Sequence, residues 1–133
     1  MPAIRSILAI EDDPIIRALL QAFFQIPGYR IVCAADGTEA LGHLSTDTFD
    51  VVLTDLMMPG HNGWEMIALI HERHPTLAII LVSGSLFCSS AEGMAKARAL
   101  GAADVLPKPF SRAQLFAAID RALDQVAPAS AGG

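Results

Sequence analysis

The 133-residue chain has little cysteine, little charge and no long apolar run, and each shortage removes a class of protein. Its two cysteines, Cys33 and Cys88, lie far apart without the C-x-x-C spacing of a zinc or redox site, so reduced thiols in a cytoplasmic protein are expected. Only 17% of residues are charged while 53% are hydrophobic, which excludes a disordered acidic chain and allows a sizeable core. Basic residues are outnumbered, 9 Lys and Arg against 14 Asp and Glu for a net charge of -5, and they form no cluster. Binding to nucleic acid through the phosphate backbone needs several cations on one face, so none is expected. The apolar run Ile7 to Ile10 stops at Glu11, too short for a signal segment, and no run approaches transmembrane length, so no membrane insertion is expected. Internal repeats and interdomain linkers are also missing. The length suits one domain over residues 1–126, followed by a tail from Ala127 whose Ala-Pro-Ala-Ser-Ala-Gly-Gly composition fits a flexible end or a linker stub.

What is present is an alternation of strands and helices. Apolar segments rich in Ile, Val and Leu predict strands at Ser6 to Ile10, Tyr29 to Ala34, Val51 to Thr54, Ala78 to Val82 and, weakly, Val105 to Leu106. Between them a helix is predicted over Pro14 to Ile26, with Pro14 at its first position, Pro27-Gly28 as its stop, and Ile15, Ile16, Leu19, Leu20 and Phe23 on one face. Further helices are predicted at Thr38 to Ser45, Trp64 to His74, Ala91 to Leu100 and Arg112 to Val126, the last capped by Ser111. Strands as continuously apolar as Leu77 to Val82 are buried on both faces, as in a parallel sheet whose right-handed crossovers place helices on both sides. A doubly wound α/β sandwich follows.

In such a sheet the ligand crevice lies at the carboxyl ends of the strands. There the chain carries Glu11-Asp12-Asp13, then Asp55, then Ser83-Gly84-Ser85, then Lys108-Pro109-Phe110. Carboxylates gathered without a cation repel and raise one another's pKa, a conflict that a hard divalent ion with oxygen ligands resolves, and Mg²⁺ is the natural occupant. A carboxylate beside Mg²⁺, with a hydroxyl and a lysine nearby, can accept a phosphoryl group, because that transfer needs mainly positioning and charge neutralisation. Asp55 is the candidate nucleophile.

From Ile4 to Val126 the chain resembles the receiver domains of two-component response regulators, the CheY-like family. The resemblance rests on Ile-Leu-Ala-Ile-Glu-Asp-Asp-Pro (7–14), on Val-Val-Leu-Thr-Asp-Leu-Met-Met-Pro-Gly (51–60), on Ser83 and on Lys-Pro-Phe (108–110), in that order and spacing. It implies a flavodoxin-like, five-stranded parallel sheet of order 2-1-3-4-5 flanked by five helices. It implies a phosphoacceptor signalling module rather than an enzyme, with at most slow self-catalysed phosphorylation and dephosphorylation. Asp55 would receive the phosphoryl group from a histidine kinase or His-phosphotransfer protein. Asp12 and Asp55 would ligate Mg²⁺ directly, Glu11 through water, and Met57 through its backbone carbonyl. Lys108 would pair with the acidic cluster and then with phosphoryl oxygens, Ser83 would swing to bond the phosphoryl group, and Lys108-Pro109 would be a cis peptide. A downstream protein would meet the face made by the fourth helix, fifth strand and fifth helix.

Quieter roles suit other residues. Asp13 is expected to cap the first helix, His71 and His74 to form a surface pair, His61 to lie in a turn, and Trp64 and Phe110 to pack. Val105 stands where many receivers carry Tyr or Phe, so the aromatic half of the family's switch is missing. The segment from Ser85 to Gly93 places Leu86 and Phe87 in a loop, where they are expected either to form a partner surface or to pack on the loop itself. Two other classes fit less well. A haloacid-dehalogenase-type phosphatase would carry a second Asp where Met57 stands, and a flavodoxin-like cofactor binder would need a hydroxyl-rich phosphate cradle where Glu11-Asp12-Asp13 stands. A degenerate receiver that binds partners without phosphorylation is the variant to be distinguished by experiment.

Overall fold

The apolar segments pair side by side, as their composition demands. In the computed structural model, which describes residues 4–58, 61–84 and 90–126, the main sheet holds β1 (Arg5–Ile10), β2 (Tyr29–Ala34), β3 (Val51–Asp55), β6 (Ala78–Ser83) and β7 (Asp104–Pro107). All four pairings are parallel and the order is β2-β1-β3-β6-β7, which is 2-1-3-4-5 among the five main strands. A two-residue antiparallel pair, β4 (Met57–Met58) with β5 (His61–Asn62), follows β3. His61 therefore pairs with Met58 rather than standing in an open turn.

Strand periodicity splits the core in two. Leu8, Ile10, Val52, Ile79, Leu81 and Val105 point to one face and pack against α2 (Gly37–Thr46), α3 (Gly63–Arg73) and α4 (Ala91–Leu100). Their alternates Ile7, Ala9, Val51, Leu53, Ile80 and Val82 point to the other face, under α1 (Pro14–Phe23) and α5 (Arg112–Val126). β3 and β6 are buried at every position, as strands covered on both sides must be.

The helix ends follow from their caps. The Asp13 carboxylate accepts from the Ile15 N–H at 2.9 Å, with Pro14 next in line. Asp36, Asn62 and Ser90 cap α2, α3 and α4 in the same way. Ser111 and Gln114 form a reciprocal capping box at 2.8 and 3.1 Å, so Ser111 caps α5 as expected. Gly101 ends α4 at φ 118°, with the His71 side chain lying where a Cβ would stand.

α1 departs from expectation in two respects. It stops at Phe23 rather than Ile26, because Phe24 leaves the helix to bury itself against Phe116, with ring centroids 5.0 Å apart. Of the apolar face read from the sequence, only Leu20 is buried; Ile15 is 76% and Leu19 44% exposed. No helix among the described residues is long and apolar enough to cross a membrane. Ser85, Leu86, Phe87, Cys88 and the tail from Ala127 lie outside the described residues.

Candidate functional site

Parallel strands bring all their carboxyl ends to one edge, and β1 and β3 are neighbours in the middle of the sheet. Glu11 follows β1, its N–H held by the Ala34 carbonyl at 2.9 Å, while Asp55 closes β3 opposite Val82. Oxygens of Glu11, Asp12 and Asp55 lie within 4.8 Å of one another, with Glu11 and Asp55 buried and Asp12 exposed. Asp13 faces its helix instead and does not join them.

One cation reaches into this cluster. Lys108 Nζ donates to Asp55 Oδ2 at 2.7 Å and to Glu11 Oε1 at 3.0 Å. Its backbone N–H donates to the Ser83 carbonyl at 2.9 Å, so the end of β7 is tied to the end of β6. Ser83 is 1% exposed and stands one residue past the partner of Asp55. The Lys108-Pro109 peptide is cis. Met57 lies two residues beyond Asp55, in β4.

The electrostatics are those of a site short of positive charge. Burial pushes the Glu11 carboxyl up from its ordinary value, and the Lys108 ammonium and the Asp13 N–H only partly offset this. Burial alone would lower Lys108, but its bonds to Asp55 and Glu11 outweigh that and hold its pKa above the usual lysine value. Lys108 is thus protonated and is shared by Glu11 and Asp55, with the exposed Asp12 carboxylate close to both. A hard divalent cation is the chemistry this donor set fits. The recess beneath, between Ile10, Glu11, Leu53, Asp55 and Phe110, holds only about 10 Å³, the room of about one water molecule.

The quieter residues are also placed. Phe110 and Trp64 pack, half-buried, against the two cores, and the Lys96 ammonium sits 4.5 Å from the Trp64 ring centroid. Val105 is buried in the core shared with α4. His74 forms the C-cap of α3, and neither it nor His71 belongs to a metal-competent group among the described residues. Cys33 is a free thiol.

Two participants escaped the sequence reading. Arg17, one turn into α1, donates from Nη1 to the carbonyls of Glu11 and Asp12 at 2.8 and 2.9 Å. The signal was a basic residue one turn after an acidic loop. Gly63, at the start of α3, lies so close to Leu56 that a Cβ would meet the Leu56 backbone at 2.5 Å. Only glycine lets the chain double back beside Asp55.

A doubly wound sheet with this acidic, lysine-bridged edge defines a phospho-signalling type of α/β domain. The chain belongs to the response regulator receiver domain family, whose model matches residues 7–120. Among relatives, the transcriptional activator protein PfeR of Pseudomonas aeruginosa is 33% identical over 120 residues, covering 90% of this chain and 38% of PfeR. A CheY-like receiver domain protein from Methanospirillum hungatei superimposes with a TM-score of 0.83 at 26% identity, over 92% of this chain and 96% of that one. The response regulator TrrA of Thermotoga maritima, solved in complex with Mg²⁺-BeF, has a TM-score of 0.77 at 29% identity, over 90% of this chain and 100% of its own. The chain spans less than half the length of curated relatives such as PfeR.

Proposed function

We propose that this receiver domain accepts a phosphoryl group on Asp55 in a Mg²⁺-dependent reaction and thereby switches its contacts with other proteins. The observation that carries the reading is the bridge of Lys108 to both Asp55 and Glu11 inside a three-carboxylate cluster. Asp12 and Asp55 would hold the metal directly, Glu11 through water, and Met57 through its backbone carbonyl. Bound there, Mg²⁺ supplies charge neutralisation for the incoming phosphoryl oxygens.

In the transfer itself an Asp55 oxygen attacks phosphorus in line. The P–N bond of a phosphohistidine breaks as the P–O bond forms, and the departing electron pair stays on the imidazole nitrogen, which takes up a proton. Lys108 exchanges its carboxylate partners for phosphoryl oxygens. Ser83, at the adjoining strand end, turns its hydroxyl to the new group. The donor partner is a histidine kinase or His-phosphotransfer protein. The readout surface is α4, β7 and α5, reached from Ser83 through the buried core that Val105 shares with α4. The domain works as a phosphoacceptor, not as a turnover enzyme, and makes no direct contact with nucleic acid.

Intact-mass analysis after incubation with acetyl phosphate tests this. The expected result is one phosphoryl adduct that requires Mg²⁺ and disappears in Asp55→Asn. Absence of an adduct in the wild type, also with phosphorylated partner proteins, would overturn the reading in favour of a degenerate binding module.

A further inference from the structure

The β1–α1 loop carries two of the three clustered carboxylates on only Glu11, Asp12 and Asp13. The backbone carbonyls of Glu11 and Asp12 belong to neither the β1 ladder nor the α1 helix. Glu11 is 4% exposed, so its carbonyl needs a protein partner or buried water. Arg17 provides a partner for both carbonyls from a single guanidinium nitrogen, at 2.8 and 2.9 Å. The neighbouring ties are local: Asp13 N–H to Glu11 Oε2 at 3.3 Å, and Ile15 N–H to Asp13 Oδ1 at 2.9 Å.

We infer that Arg17 is a positioning residue for the cation site: by holding the Glu11 and Asp12 carbonyls on the helix side, it fixes the loop backbone from which both carboxylates approach Asp55. The inference rests on the reading of that cluster as a Mg²⁺ site. The guanidinium bonds of Arg17 run to backbone carbonyls rather than to carboxylate oxygens, so it acts through the loop backbone. Groups that support metal ligands in this way typically contribute about 10- to 100-fold in metal affinity.

The sign of the effect separates this role from two simpler ones. If the guanidinium acted only as a nearby positive charge, it would repel a divalent cation, and its removal would tighten binding. If Arg17 only stabilised the fold, its removal would lower the melting temperature and leave the affinity of the folded protein unchanged. Positioning alone makes removal weaken binding in protein that remains folded.

The test is a Mg²⁺ titration of ¹⁵N-labelled wild type, Arg17→Met and Arg17→Lys, following amide shifts of the site loops, with melting temperatures recorded on the same samples. The expected result is a half-saturating Mg²⁺ concentration about tenfold higher in Arg17→Met. Arg17→Lys, which keeps both a cation and a donor, recovers part of the loss. An unchanged or lower half-saturating concentration in folded Arg17→Met would overturn the inference. A wild type with no saturable response would instead overturn the metal-site reading on which it rests.

Discussion

At the amino end of the sheet Arg5 pairs with Asp120 at 2.6 Å, Arg30 with Asp47 at 2.9 Å and Arg121 with the buried Asp104 at 2.9 Å. There too the Asp50 carboxylate accepts the Ser6 N–H at 2.8 Å, so each of these acidic groups has its own donor. At the carboxyl end, oxygens of Glu11, Asp12 and Asp55 crowd within 4.8 Å, and Lys108 pairs with two of them, Glu11 and Asp55. The first arrangement closes on itself and serves the fold. The second leaves surplus negative charge among largely buried groups, which a chain shaped by stability alone would not keep. The carboxyl end therefore bears charge kept for function, and the amino end charge kept for the fold.

The largest effect is expected where a single cation serves several carboxylates. Lys108→Met should destabilise the metal-free protein by about 2–3 kcal/mol in urea denaturation with EDTA, because Glu11 and Asp55 lose their counter-ion inside the protein. The pH dependence has a defined sign. The pairing raises the Lys108 pKa, so its contribution is fully present below the ordinary lysine value and is lost only as pH rises through the higher folded value. As pH rises, the gap between wild type and variant should therefore persist until strongly alkaline solution; as pH falls it should narrow, because Glu11, already raised by burial, takes up a proton more readily without Lys108. A gap that closed on raising the pH through neutrality would break the comparison at its charged end.

A smaller effect is expected at the self-contained end. The Arg121 side chain is 57% exposed, so Arg121→Met should cost only about 1 kcal/mol, and the half-saturating Mg²⁺ concentration should not move. A shift in Mg²⁺ affinity would mean that the two ends are not independent. Smallest, and opposite in sign, is Asp12→Asn. Removing one exposed like charge from the cluster should raise the metal-free melting temperature by about 2 °C, roughly 0.5 kcal/mol, while weakening Mg²⁺ binding. A stabilised but metal-deficient variant is what the surplus-charge account requires.

The carboxyl-end half of this contrast was legible in the sequence, whereas the ion pairs of the amino end were not. The apolar runs fell on the right segments most clearly where β3 and β6 are buried at every position, and the Glu11, Asp55, Ser83 and Lys108 positions followed from where the strands end. The order of the strands was not a matter of periodicity; it came from the motif resemblance. Other features depend on contacts between distant residues. Phe24 could have prolonged α1, but Phe116, far along the chain, draws it into the core. Ile15 and Leu19 satisfy the helical pattern and yet face outward, since a pattern marks a face without saying what covers it. Arg17 belongs to no recognisable motif because its target is backbone, which a side-chain motif does not encode. The proximity of Gly63 to Leu56 likewise needs the folded β3–α3 connection.

The most direct measurement is an amide chemical-shift titration of the uniformly ¹⁵N-labelled wild type with MgCl₂ at constant ionic strength. The account predicts saturable shifts concentrated at Glu11 to Asp13, Asp55 to Met57, Ser83 and Lys108, with the amides around Arg5, Arg30, Asp50 and Asp104 unmoved. Shifts that fail to saturate, or that appear equally at the amino end of the sheet, would contradict it.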